Sequence, residues 1–281
     1  MMLASLPMYS GPEGAASAFW AAIRDGLRSR GIEGAPATLG DPADLSAHWR
    51  SPALLFSQTC GLPFSTELAG CVTLLAVPHY DAPGCEGPNY RSVIVARADD
   101  AADTLAGVVG RRAAVNAVGS HSGFSQLVTT LAPFARGAYP LSEMMVSGSH
   151  RASLSLVREG VADLAAIDCV TWALLVSNEP RAVSELKIVG RSPPSLGLPF
   201  VASSELPSQT IEALRSALAD VMRHSAHEAT RRALMLNGMS TPTQDAYAAH
   251  AESARFALSF MGHDAGPDDD LPVAAAFSSP S

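Results

Sequence analysis

Lysine is nearly missing from this chain. Of 19 basic residues in 281, only Lys187 is a lysine, inside the stretch ELKIVGRS. A Walker-type phosphate loop needs GxxxxGK[ST] spacing, and that lysine stands in no such context. Aromatic residues make up 6% of the sequence, basic runs interleaved with aromatics are missing, and the formal charge is −8. These shortages argue against a base-stacking platform and against non-specific nucleic-acid binding. The four cysteines, Cys60, Cys71, Cys85 and Cys169, form no CxxC and no zinc-like repeat. The chain is too large to need disulfides as its main staple, so the redox compartment stays open. No HxH or HExxH pattern joins His79, His121 and His150, so a metal site has no motif behind it. No stretch approaches the roughly 18 apolar residues of a membrane helix. The opening MMLASLPMYSGPEG lacks a basic n-region and does not read as a secretory signal.

Apolar content is plentiful at 47%, enough for a substantial core in one or two domains. LASLPMY, PALLFSQ, VTLLAVPHY, YRSVIVAR, AAVNAV, ADLAAID, ELKIVGRS and LPFVAS read as strands. Phe19, Trp20, Ile23 and Leu27 recur at helical spacing over Ala15 to Arg30. A second helix begins near Ser122, and SGSHRASLSLVREG reads as a turn, a polar cap and a short helix ended by Gly160. After LPFVAS the sequence is expected to be helical, through Ile211 to Met222, Thr230 to Leu236 and Tyr247 to Phe260. Residues 263–281, rich in glycine, proline and acid, are expected to form a flexible tail. Strands separated by helices predict α/β architecture.

Polar residues fall where strands end. Ser120 to Gly123 follow AAVNAV, Asp168 ends ADLAAID, Gln58 follows LLFS, and Tyr80 follows VTLLAVPH. In open α/β sheets ligands bind beyond the carboxyl ends of strands. NAVGSHSGFSQL, Asn116 to Leu127, therefore has two readings. Ser120 or Ser122 caps a helix, or the helix start holds an anion through amides and hydroxyls, with Gly123 allowing close approach. GSHRAS repeats the device at His150. Asp168, beside apolar residues, needs a partner: a ligand amine, His150 or a neighbouring helix start. Cys169 with His121 or His150 is a conceivable nucleophile pair, but cysteine is commonly a small buried hydrophobe.

Four segments taken in order, GCEGPNYRSVIVAR, LAGVVGRRAAVNAVGSHSGFSQL, VSGSHRASLSLVREGVADLAAID and IVGRSPPSLGLPFVASSELP, resemble the phosphate/phosphite/phosphonate-binding family of ABC-transporter substrate-binding proteins. The resemblance implies a two-lobed type II periplasmic-binding-protein fold with a ligand cleft between the lobes. Residues 1–90 plus 193–262 would build the first α/β lobe and 91–192 the second. By the same resemblance Ser120, His121, Ser122 and the amide of Gly123 would grip an oxyanion. His150 matches the family's histidine after the glycine-serine turn, Asp168 matches the acidic residue that in amino-phosphonate binders can meet an amine, and Tyr90 matches the tyrosine on the hinge approach. His121 stands where threonine is commoner in the family. Gln58 occupies the region of the usual early tyrosine. A non-catalytic binder without metal or cofactor is expected, monomeric, delivering a small oxyanion to an importer's membrane subunit. The family places it in the periplasm or cell envelope; with no leader read in the sequence, the cytoplasm is the alternative. A thiamine-precursor-synthase-like enzyme, metal- or cysteine-dependent, and a cytoplasmic ligand sensor are the competing functions. The synthases use a lysine and histidines for which this sequence offers no matching motif.

Overall fold

Twelve strands divide between two five-stranded sheets and one two-stranded ribbon in the computed structural model, which describes residues 2–261. The expected tail lies outside the described residues. In chain order the strands are β1 (Leu3–Ala4), β2 (Leu54–Gln58), β3 (Val72–Tyr80), β4 (Asn89–Tyr90), β5 (Ser92–Arg97) and β6 (Arg111–Val115). They continue with β7 (Leu141–Val146), β8 (Leu164–Asp168), β9 (Leu186–Arg191), β10 (Ser195–Leu196), β11 (Phe200–Ser203) and β12 (Leu236–Ser240). The first sheet has the order β1-β2-β11-β3-β12 and the second β7-β6-β8-β5-β9. In the second sheet β6 runs parallel to both β7 and β8, while β5 is antiparallel to β8 and β9. Near-continuous apolar runs such as LLFSQ and LAAID are buried along their whole length, as strands covered on both faces require.

The helices follow the amphipathic pattern. α1 (Ala15–Arg28) buries Phe19, Trp20, Ile23 and Leu27. α2 (Leu45–Trp49) and α3 (Gly61–Ser65) are short. α4 (Gln126–Leu131) is entered through a wide π-type turn over His121–Ser125. α5 (His150–Arg158), α6 (Cys169–Asn178), α7 (Ser208–Arg223), α8 (Glu228–Ala233) and α9 (Ala248–Ser259) complete the set. A Cβ on Gly26 would stand 3.1 Å from Ala217 Cβ, so glycine lets α1 and α7 approach closely. One core cluster contains Phe19, Trp20, Phe56 and Phe200, and Trp20 stacks on Phe56 at 5.7 Å. Another, around Ile94, Phe124, Leu127 and Leu131, belongs to the second sheet.

The chain crosses between sheets twice, after β3 and after β9. The two crossovers pair with each other: β4 and β10 form an antiparallel ribbon with Tyr90 opposite Ser195. This is the two-lobed type II arrangement. α9 adds a third link. It starts beside α3, where Tyr247 packs edge-on to Phe64 at 4.8 Å and donates to the Gly197 carbonyl at 2.7 Å. Further along, Ala257 and Leu258 join the core of the second sheet.

Two expectations change. The region after LPFVAS is not wholly helical, because LNGMS forms β12 on β3. LSEMMV, not read as a strand from sequence, forms β7 at the edge of the second sheet, where most of its side chains stay partly or fully exposed.

Candidate functional site

The carboxyl ends of β6 and β8 open onto one cleft of about 310 Å³. Ser120, Ser122, His150 and Asp168 line it, together with Tyr9, Cys60, Asn116, Ser149, Arg151 and Thr171. Thus four of the eight residues singled out from sequence reach the cleft, and four do not.

Ser120 is a cap and a lining residue at once. Its hydroxyl accepts from the Gly123 amide at 3.0 Å, while the Phe124 and Ser125 amides bond its carbonyl. Ser149 starts α5 in the same way, accepting from the Ala152 amide at 3.1 Å. The two starts are joined: Ser122 Oγ lies 3.0 Å from His150 Nε2. Burial pushes the His150 imidazole down to about 4, although the neighbouring Ala166 backbone favours its charged form. At neutral pH the ring is therefore uncharged, and in the tautomer whose Nε2–H donates to Ser122 Oγ the Ser122 hydroxyl is left free to donate into the cleft.

Asp168 ends β8 and caps α6. Its Oδ1 accepts from the Val170 and Thr171 amides at 2.7 and 3.3 Å, and its Oδ2 from the Tyr9 hydroxyl at 2.8 Å. Burial nevertheless raises its carboxyl to about 6, against the lowering effect of those three donors. A carboxylate has roughly four acceptor positions, so this one retains capacity for a ligand donor. Arg151 reaches the cleft rim, where Glu179 holds its guanidinium through paired contacts of 2.6 Å.

The other four sequence candidates sit behind the cleft. Gly123 spends its amide on Ser120, and a Cβ there would fall 1.8 Å from Asn116 Oδ1. Its glycine thus makes room for a side chain of this protein. His121 turns away, contacting Ser195 Oγ at 3.1 Å and Gln126 Nε2 at 2.9 Å and stacking on His250 at 3.9 Å. Burial, then the His250 ring, holds its imidazole well below the usual range. Gln58 donates to the Tyr80 hydroxyl and the Leu198 carbonyl, both at 3.0 Å, bracing the cleft floor. Tyr90 is buried in the ribbon beside Ser122, and its hydroxyl makes no well-formed hydrogen bond.

Sequence reading missed Tyr9 and Asn116. Tyr9 lies on the loop after β1, packs edge-on to Tyr80 at 5.1 Å and reaches Asp168. Asn116 closes β6 with a buried carboxamide oxygen that has no partner. The available signal was position: Asn116 is the polar residue in AAVNAV, at a strand end that the chain leaves through a glycine. Among the described residues no cluster of three or more histidine, cysteine, aspartate or glutamate side chains has metal-binding geometry, and no helix is long and apolar enough to cross a membrane.

Residues 54–247, more than two thirds of the chain, match the family model described as ABC transporter, phosphonate, periplasmic substrate-binding protein. The chain belongs to this family. It is a non-catalytic oxyanion-binding protein of an ABC importer, and association with a membrane subunit and a place in the periplasm or cell envelope are typical of its relatives. A comparison with functionally curated proteins gives no sequence match. Among solved structures, the chain is similar to a binding-protein component of an ABC phosphonate transporter from Pseudomonas aeruginosa, with TM-score 0.73, 13% identity, and coverage of 98% of this chain and 94% of that one. PhnD1 from Prochlorococcus marinus, in complex with methylphosphonate, gives TM-score 0.69 at 16% identity, covering 92% and 98%. XAC2383 from Xanthomonas citri bound to ATP gives TM-score 0.69 at 15% identity, covering 93% and 98%. Likeness at these identities carries the fold alone.

Proposed function

We propose that this family member captures a small organic phosphonate by closure of residues 91–192 against the rest of the body about the β4–β10 ribbon. Ser120, Ser122 and His150 hold the oxyanion head, and Asp168 reads a donor on the organic end. One observation carries the reading: two serine-capped helix starts, tied by the Ser122–His150 contact, meet in a cleft whose rim arginine is already paired. Neutral donors aimed from helix starts suit an anion that must be released again. The methylphosphonate carried by the similar Prochlorococcus protein supports the ligand class. The reading takes the protein as a monomer without a nucleic-acid partner, and its net charge of −8 supports the latter.

Asp168 provides the test. Asp168→Asn keeps an oxygen to cap α6 and a group to meet Tyr9, but carries no charge. Calorimetric titration is expected to show 2-aminoethylphosphonate weakened by roughly tenfold or more, about 1.4 kcal/mol, with ethylphosphonate little changed. Equal losses for both ligands would mean that Asp168 only holds Tyr9 and α6 in place.

A further inference from the structure

Two of the four cysteines meet. Cys85 Sγ lies 3.5 Å from Cys169 Sγ, and both are free thiols. They are distant in sequence and belong to different parts of the molecule. Cys85 lies on the crossover that leaves β3 for the ribbon, and Cys169 opens α6 behind β8 in the second sheet. Neither thiol has a role in the anion site described above.

The crossover is built to hold Cys85 there. Ala82 is buried, and its carbonyl accepts from the Cys85 amide at 2.9 Å. Glu86 and Asn89 exchange backbone bonds at 2.9 and 3.0 Å, closing the next turn through Gly87 at φ +55. Gly84 has φ +116, and a Cβ on it would stand 3.2 Å from Cys169 Cβ. A side chain there would push the crossover off Cys169, so glycine sets the approach of the two sulfurs. Cys169 is fixed from its own side by its amide, which donates to the Arg91 carbonyl at 3.0 Å.

We infer that Cys85 and Cys169 are a dithiol pair that closes into a disulfide, locking the first crossover to the start of α6. A disulfide needs sulfurs at ~2.05 Å and Cβ atoms at about 3.5–4.5 Å. The present separation closes by a shift of ~1.5 Å, within reach of side-chain rotation. Cys85 is half-buried and Cys169 is fully buried, so an oxidant meets Cys85 first. The oxidant is a small-molecule or protein disulfide. The Cys85 thiolate attacks one of its sulfurs, forming a mixed disulfide and releasing one thiolate. Cys169 then loses its proton to solvent and attacks Cys85 Sγ, expelling the second half of the oxidant. Two protein thiols lose two electrons and two protons, and one external disulfide becomes two thiols. The Cys85 contact, burial and the Asp168 carboxylate all push the Cys169 thiol up, which keeps its thiolate scarce.

The bond would close a loop spanning most of the second lobe, and it sits one residue from Asp168. Constraining that long a loop raises the melting temperature by roughly 10 °C. The inference does not depend on which ligand fills the cleft. Full-length protein is reduced, incubated with oxidised glutathione, alkylated and digested without reductant. The expected result is one linked peptide pair carrying Cys85 and Cys169, two hydrogens lighter than its reduced parts, with Cys60 and Cys71 alkylated. The oxidised protein melts at the higher temperature, and Cys85→Ser and Cys169→Ser each abolish both the link and the shift. Recovery of Cys85 and Cys169 as alkylated thiols, or as separate glutathione adducts, would overturn the inference. Because unoxidised variants and wild type are compared in the same fold, a variant that misfolds is recognised by its melting curve in reductant, and the wild-type peptide result stands by itself.

Discussion

Acidification from pH 7 to pH 4 is expected to remove roughly 3–6 kcal/mol of stability, more than surface charges would account for. His150 and His250 are both pushed down to about 4, in each case chiefly by burial, and His121 lies well below the usual range for the same reason. The unfolded chain takes up these protons at about pH 6.5, whereas the native chain resists them. Stability that the neutral rings supply is complete above that pH and is lost as the pH falls toward 4. Asp168 acts in the opposite sense. Its native carboxyl titrates at about 6, so its contribution is complete below about pH 4 and lost as the pH rises through 6. It offsets about one histidine over the same window. Asp168→Asn should therefore gain up to about 3 kcal/mol at pH 7, match the wild type near pH 4, and show the steeper acid loss of the two. Thermal or urea unfolding at both pH values checks this. A flat profile in wild type, or an acid loss smaller in Asp168→Asn, would contradict the burial-based assignment.

The second large effect belongs to Gly123. Alanine there would place a methyl group 1.8 Å from Asn116 Oδ1 and 2.9 Å from Asn116 Cγ, closer than any side chain tolerates. Overpacking of this kind costs about 1–3 kcal/mol, occasionally more. Gly123→Ala should lower the melting point and disturb the Ser120 cap, which takes the Gly123 amide. Gly123→Val should be worse. Asn116→Ala in the same chain should restore most of the loss, because it removes the atoms in the way. Failure of that rescue would show that glycine is needed for the π-type turn itself, independently of Asn116.

The fold was legible because its signals are local. Near-continuous apolar strands, and the Phe19, Trp20, Ile23, Leu27 stripe, require burial wherever they occur. β7 was not legible because LSEMMV lies at a sheet edge, with solvent on much of its surface and no apolar alternation to mark it. β12 was hidden because LNGMS carries glycine and asparagine and is a strand only through its pairing with β3. The site divides in the same way. Ser120, Ser122, His150 and Asp168 stand at strand ends or helix starts, and those positions alone bring them to the cleft. His121 lies between two of them in sequence, yet the turn directs it toward His250 on α9, a helix more than a hundred residues later. Tyr9 reaches Asp168 across a separation of 159 positions. No local pattern encodes either contact. Gly123 shows a further limit: a glycine at a helix start reads as ligand access, and only the neighbouring Asn116 side chain reveals what occupies the space.

The central claim is reversible capture of an oxyanion at the joined starts of α4 and α5. Titration calorimetry of methylphosphonate against wild type and Ser122→Ala, with melting curves of both apo proteins, tests it most directly. The account predicts saturable binding at one site per chain, ligand recovered unchanged, and at least a tenfold weakening in Ser122→Ala, about 1.4 kcal/mol, with only a modest drop in the apo melting point from loss of the Ser122–His150 contact, because the Ser120 cap remains. Unchanged affinity in Ser122→Ala, with stability lowered instead, would place the anion elsewhere and reduce this serine to a packing role.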